Sequence, residues 1–330
     1  MGKPVVYVLM AIYNPDPVWL KEQLISVNNQ DYEDIKLLVC DDCSTSITAE
    51  DIRSYLDKYI TRYPYRIIRN ESNLGSNMTF EQLTVEASRD LGGQSKESYF
   101  AYCDQDDIWE SNKITELVKT AQEKDAVLVY SDMAVIDSRG EYVSDSITKV
   151  RKRFRYYEGY DLWKRILIRN FISGCCMIVR ADIADAAVPF SNGMQHDRWI
   201  SIIASCYGYI AFVDKPLVRY RQHGKNQTGV LKDVTDKESY IKIRLKDHLR
   251  ILEDIKGRKI ISNEMNKFLT EYIEQMETRC RYAEGKHHLL PQMMRYLKYN
   301  RATILFEIVA MKLPEKIFIK ALDHIKSKNI

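Results

Sequence analysis

The sequence of 330 residues has no uncharged run of about eighteen or more residues, so no part of it reads as a membrane span. No export signal is read either. Val5–Tyr13 is apolar, but only Lys3 precedes it and no small-residue cleavage site follows. Val6 stands where N-myristoylation requires Ser or Thr. The first apolar run is followed by "AIYNPDP" (11–17), not Gly-x-Gly-x-x-Gly, which excludes a dinucleotide fingerprint; a P-loop is also absent. Charge excess is lacking: 49 Lys and Arg against 46 Asp and Glu leave +3, too little for bulk nucleic-acid binding. Cysteines are few and scattered (40, 43, 103, 175, 176, 206, 280). Cys40 and Cys43 have C-x-x-C spacing with no second pair at zinc-ligand distance. They read as reduced, buried thiols of a cytosolic protein. Internal repeats and low-complexity tracts are absent.

What is present is alternation. Val5–Met10, Ile35–Cys40, Tyr65–Arg69, Tyr99–Cys103 and Ala126–Tyr130 are strand-like apolar runs. Helix-like stretches separate them: Pro17–Gln30, Ala49–Ile60 (capped from Ser44–Ser46), Ser76–Arg89 and Ser111–Glu123. Such alternation predicts an α/β fold with a mostly parallel central sheet. Beyond it, Glu158–Arg169 and His196–Cys206 read as helices. Ser173–Arg180 and Tyr209–Val213 read as strands, and Pro216–Tyr220 as a short edge segment. From about Val234 the chain reads as helical throughout. The expected division is a catalytic domain over 1–230 and a helical domain over 231–330.

Polar residues gather just after the strand ends: Asn14, then Asp41 and Asp42, then Asn73 and Gly75, then Asp104, Asp106 and Asp107. Ligands of open α/β sheets sit outside the carboxyl ends of the strands. The last group is the sharpest. In "YFAYCDQDDIWE" (99–110), an apolar run ends in three carboxylates within four positions, which repel one another and are costly to ionise beside apolar neighbours. Carboxylate oxygens suit Mg²⁺ or Mn²⁺, and a diphosphate would complete the shell of such an ion. An aspartyl phosphatase would place its Asp-x-Asp after the first strand, and this cluster follows the fourth.

Seven segments in order carry a resemblance: "AIYN" (11–14), "VCDDCST" (39–45), "NLG" (73–75), "YCDQDDIW" (102–109), "SGCCMIVR" (173–180), "HDRW" (196–199) and "YRQHGKNQTG" (220–229). Together they resemble family 2 glycosyltransferases of the GT-A fold, more narrowly the rhamnosyltransferase-like bacterial members that build surface polysaccharides. The resemblance implies transfer of a sugar, with inversion, from a nucleoside-diphosphate donor (dTDP-rhamnose or a UDP-hexose) to a glycan or polyprenyl-linked acceptor. It implies Mn²⁺ or Mg²⁺ on Asp106, Asp104 and His223. It implies donor contacts at Tyr13, Asn14, Asp42, Asn73, Gly75, Asp104 and Gly174, with Asp42 on a pyrimidine base. Asp197 is implied as catalytic base, and His196 and Trp199 as acceptor contacts. Two departures stand out. His196 replaces a commoner Glu, and Cys43 replaces a Gly at a turn where Gly tolerates positive φ.

Plainer readings compete. Asp41, Asp42, Asp107 and Asp197 also read as turn or helix-cap residues, Trp109 and Trp199 as core, and His223 as an ordinary loop histidine. "RKRFRYYEGYDLWKR" (151–165) reads as a solvated segment or as a loop gripping a diphosphate of donor or acceptor, rather than a nucleic-acid surface. Residues 301–330 mix Lys with Leu, Ile and Phe. They read either as an amphipathic helix on an anionic bilayer at the inner face of the cell membrane, or as a helix packed on the protein or on a second copy. A sugar nucleotidyltransferase would need a Gly-rich, Arg-containing loop after the first strand, which "AIYNPDP" lacks. A non-catalytic scaffold of a polysaccharide assembly complex would not need carboxylates at Asp42, Asp106 and Asp197.

Overall fold

The computed structural model describes residues 3–151, 154–191, 193–224, 233–258 and 261–327. They fall into two compact units, one over 1–190 and 194–224, the other over 191–193 and 225–330. The boundary expected near residue 231 lies outside the described residues, as do Lys152, Arg153 and most of the loop 222–229.

The first unit opens with the expected alternation: β1 (Val5–Ile12), α1 (Pro17–Asn28), β2 (Ile35–Asp41), α2 (Ala49–Tyr59), β3 (Tyr65–Arg69), α3 (Ser76–Leu91), β4 (Ser98–Cys103). Local chemistry sets the boundaries. Pro17 fits the first turn of α1, and the Asp16 carboxylate accepts from the N–H groups of Val18 and Trp19. α2 is capped by Thr48 in a reciprocal box with Asp51, two residues beyond the expected Ser44–Ser46. After β5 (Ile108–Trp109) come α4 (Lys113–Lys124), β6 (Ala126–Ile136), β7 (Tyr142–Ser144), β8 (Met177–Arg180) and β9 (Tyr209–Arg221).

The sheet runs β3-β2-β1-β4-β8-β6-β9-β5, with β7 paired to β6. β3, β2, β1 and β4 are mutually parallel. Beyond β4 the sheet is mixed: β8 runs antiparallel to both neighbours, while β6 and β9 are parallel. All six residues of β4 and all eleven of β6 are buried, which is why these strands read as unbroken apolar runs. Each large aliphatic side chain so buried stabilises the fold by roughly 1.5–3 kcal/mol. Because β2, β1 and β4 are neighbours, with Ile12 opposite Asp41 and Met10 opposite Cys103, their following loops lie side by side.

Three expectations change. Tyr209–Arg221 is a single strand between β6 and β5 rather than a strand plus an edge piece. Pro216, lacking an N–H, sits at a register shift opposite Asp132. Ser173–Arg180 begins as a 3-10 turn, Gly174–Cys176, and extends only from Met177. The helix expected from Glu158 starts at Trp163, because Gly159 (φ 140°) and Asp161 (φ 53°) break the chain before it.

The second unit is helical, with Asp247–Lys256, Asn263–Ala283, Leu297–Ala310 and Glu315–Ser327 as its main helices. Leu252, Leu269, Met276, Ile304, Phe318 and Leu322 form its core. A buried ion pair crosses it: Arg279 donates to both oxygens of Glu307, at 2.8 and 2.6 Å, and the Tyr240 hydroxyl donates to the same carboxylate at 2.8 Å. In the last helix Phe318 and Leu322 point into this core, which leaves Ile317 as its exposed large apolar side chain. No helix among the described residues is long and apolar enough to cross a membrane.

Candidate active site

The loops after β1 and β2 are laced together by their own polar side chains. Asn14 takes a left-handed backbone (φ 42°), and its Oδ1 accepts from the N–H groups of Thr45 (2.7 Å) and Ser46 (2.8 Å). Its own N–H donates to Ser44 Oγ at 2.9 Å. Cys43 is left-handed too (φ 60°), the conformation in which glycine would be cheaper. Asp41 is buried, paired with Arg69, and accepts from the Ser44 N–H. Asp42 is only 3% exposed. It accepts from Asn70 Nδ2 at 2.7 Å and from the N–H groups of Leu74 and Gly75 at 2.8 Å. Its hydrogen bonds thus anchor the turn that carries Asn73 and Gly75, and Gly75 needs its missing side chain there at φ 80°.

Cys103 ends β4, and the three carboxylates diverge. Asp106 meets His223, Oδ2 to Nε2 2.9 Å, and the His223 ring lies 4.5 Å from that of Trp19. Asp107 turns inward and is wholly buried, accepting from the Arg221 N–H at 2.9 Å; the following helix is instead preceded by Asn112. Gln105 clasps the backbone of Tyr13, its Oε1 accepting from the N–H (2.8 Å) and its Nε2 donating to the carbonyl (3.0 Å). That leaves the Tyr13 ring 44% exposed at the rim.

The positive charge behind the cluster is Lys113, fully buried on α4. Its ammonium donates to the Cys175 carbonyl at 2.6 Å and lies 3.1 Å from the centre of the Trp109 ring. Trp109 is core, 3% exposed. Burial lowers the Lys113 pKa to about 8, so the group stays charged at neutral pH. Asp104 is pushed up to about 7, first by burial, then by the charges of Asp106 and Asp197, against which Lys113 acts. Asp107 is also raised well above the usual carboxylate range, again by burial first. Arg221, 1% exposed, donates its Nε–H to the Asp106 carbonyl at 2.8 Å and pairs its guanidinium with Glu22. Asp106 and His223 are in contact, but Asp104, Asp106 and His223 are not, among the described residues, a group whose ligand atoms all lie within 4.8 Å of one another. Separately, donor atoms of Asp104, Asp107 and Cys175 lie within 4.8 Å of one another.

Asp197 sits in the first turn of the helix His196–Tyr207. Its Oδ2 accepts from the Gly174 N–H at 3.2 Å, and its Oδ1 from the Arg198 N–H and from Asn170 Nδ2 at 3.4 Å. Burial raises its pKa to about 6, against the opposing pull of those backbone N–H groups. A Cβ on Gly174 would stand 2.5 Å from His196 Nε2, so the packed His196 ring leaves no room for one. That ring packs 4.1 Å from Phe80 and 5.1 Å from Tyr102. Its Nε2 is buried, and burial holds the imidazole neutral with a pKa near 3. His196 as a whole is only half-buried, so its acceptor role stays a proposal. The acceptor contact expected of Trp199 is overturned: it is 0% exposed and its indole N–H donates to the Ala187 carbonyl at 2.7 Å.

Residues 7–186 match the model of glycosyl transferase family 2. The chain belongs to that family. An uncharacterized glycosyltransferase of Haemophilus influenzae is 26% identical over 90% of this chain and 91% of its own length. The dTDP-rhamnosyl transferase RfbG of Shigella flexneri is 24% identical over 78% and 88%. Among solved structures, S. aureus TarS 1-349 in complex with UDP-GlcNAc superposes at TM-score 0.60 and 15% identity, over 98% of this chain and 92% of that one. Against a longer S. aureus TarS chain the match covers 43% of that chain, at TM-score 0.56 and 16% identity. These likenesses support the α/β GT-A architecture. In this glycosyltransferase, residues that sequence reasoning passed over hold the site together: Gln105, Lys113, Asn170 and Arg221.

Proposed function

We propose that the protein is a divalent-metal-dependent, inverting glycosyltransferase. It takes a nucleoside-diphosphate sugar, dTDP-rhamnose or a UDP-hexose, and extends a glycan or polyprenyl-linked acceptor of a bacterial surface polysaccharide. The observation that carries the reading is the pairing of Asp197 with the acidic corner after β4. A buried carboxylate with a pKa near 6 stands close enough to Asp104 to raise the latter's pKa. The Gly174–Cys176 turn joins them, its Gly174 N–H donating to Asp197 and its Cys175 sulfur lying within 4.8 Å of Asp104 and Asp107, so a group suited to take a proton is tied to groups suited to hold a diphosphate.

In this reading the exposed Tyr13 ring and the Asn14, Asn73 and Gly75 turns form the nucleotide side, with Asp42 bracing them toward the base. Asp197 Oδ takes the proton of the acceptor hydroxyl as its oxygen bonds to the anomeric carbon. The bond from that carbon to the diphosphate oxygen breaks on the opposite face, which inverts the centre. An ion held by Asp104, Asp106 and His223 would supply neutralisation of charge on the departing diphosphate. Gly174, Arg198 and Asn170 keep the Asp197 carboxylate aimed. Work at the inner face of the cell membrane, through the lysines and Ile317 of the last helix, fits a polyprenyl-linked acceptor. The test is a panel of UDP- and dTDP-sugars with Mn²⁺ or Mg²⁺, scored for nucleoside diphosphate release and for the anomeric configuration of any product. Release from none of them, or retained configuration, rejects the reading.

A further inference from the structure

A cavity of about 210 Å³ is lined by Arg155, Arg165 and Arg169 and walled by aromatic rings including Phe154 and Phe171, and it reaches Asp197 through Asn170. Its described lining holds three guanidinium groups and no carboxylate. All three arginines are exposed, whereas Phe154 and Phe171 are buried, so cations ring the mouth over an apolar floor. The Arg165 guanidinium lies 4.3 Å from the Tyr157 ring centre, which preorients it.

The cavity is tied to the base. Asn170 lines it and also donates to Asp197 Oδ1. Arg198, the residue after Asp197, donates to the carbonyls of Ile166 (3.1 Å) and Leu167 (2.7 Å) at the end of the helix that carries Arg165. Two sets of hydrogen bonds therefore fix this cavity to the carboxylate that would deprotonate the acceptor. Guanidinium groups recognise phosphate and carboxylate through paired N–H donors, and aromatic walls accept the apolar face of a sugar ring.

We propose that this cavity is the acceptor subsite and that it selects an anionic acceptor, a glycan carrying phosphate or carboxylate next to the reacting hydroxyl. The assignment rests on Asp197 as base. It adds the chemical class of the acceptor, which neither the family nor the relatives specify.

The test titrates glycerol 3-phosphate, as phosphate probe, and glucuronate, as carboxylate probe, into the full-length protein and follows binding by NMR. The Arg165→Gln/Arg169→Gln double variant is expected to bind the preferred probe at least roughly tenfold more weakly. UDP and dTDP affinity with Mn²⁺ should be unchanged. Both side chains are exposed, and an unaltered melting temperature verifies folding; Arg165→Lys should retain part of the affinity. Binding of glycerol 3-phosphate alone assigns a phosphorylated acceptor, and of glucuronate alone an acidic sugar. Three results overturn the proposal: neither probe binds the wild type, the double variant binds both as the wild type does, or the double variant loses the nucleoside diphosphates. The last would assign these arginines to the donor. If a probe binds but no nucleotide does, the anion site stands and the donor reading falls.

Discussion

At the scale of single residues, Asp197 makes the sharpest prediction. Its carboxylate must be ionised to accept a proton, so kcat should rise with pH through about 6, its raised pKa. Asp197→Asn should abolish that limb and lower kcat by roughly 10²–10⁴. The same variant should not lose stability at pH 7.5. Folded Asp197 holds its proton to about pH 6 while the unfolded group releases it near 3.8, so above pH 6 the buried charge opposes folding. Removing it should leave urea stability equal or higher, by up to about 3 kcal/mol. A purely structural aspartate would show the opposite pairing, lost stability with kept pH dependence. Asp106→Asn should weaken Mn²⁺ binding in the presence of UDP at least roughly tenfold, read by calorimetry. Asp104 and Asp106 were conspicuous because carboxylates abutting apolar runs have few innocent explanations, and Asp197 only through the family resemblance. Lys113 was not, since a lysine on an amphipathic helix ordinarily reads as solvated. The Trp199 role failed for a related reason: a motif shows that residues are near a site, not which way their rings face.

At the scale of elements, the turn Gly174–Cys176 links two charges. Its Gly174 N–H donates to Asp197, and its Cys175 carbonyl accepts from Lys113. Gly174→Ala forces a methyl against the His196 ring, a contact of 2.5 Å before relaxation. It should cost about 1–3 kcal/mol in urea unfolding and lower kcat more than it changes donor KM, because the shifted turn releases Asp197. The parallel strands and their helices were readable from periodicity alone. β8 and the start of β9 were read as strands too, but not the antiparallel insertion of the one or the length of the other, because these depend on partners far away in sequence. Pro216 looked like an edge signal, yet a bulge opposite Asp132 accommodates it inside the sheet. The positive φ at position 43 was foreseeable from the turn; that Cys43 adopts it shows surrounding hydrogen bonds outweighing a local preference.

At the scale of the whole molecule, buried charges decide what the chain tolerates. Arg279→Met leaves Glu307 without its cation inside the helical unit and should cost about 3–5 kcal/mol, seen as a lower urea midpoint. The corner after β4 is built otherwise. Lys113 already counters Asp104 and Asp107, and the Arg221 N–H groups hold the Asp107 carboxylate and the Asp106 carbonyl. Chelator-treated protein should therefore melt within a few degrees of untreated protein, while Mn²⁺ plus UDP at a hundred or more times the dissociation constant should add roughly 2.7–4 kcal/mol. The resident ammonium of Lys113 has a kinetic corollary. A metal drawn to that corner would be a passenger, boarding with each pyrophosphate and leaving with the spent nucleotide. Turnover would then follow the surrounding supply of free manganese or magnesium from one cycle to the next.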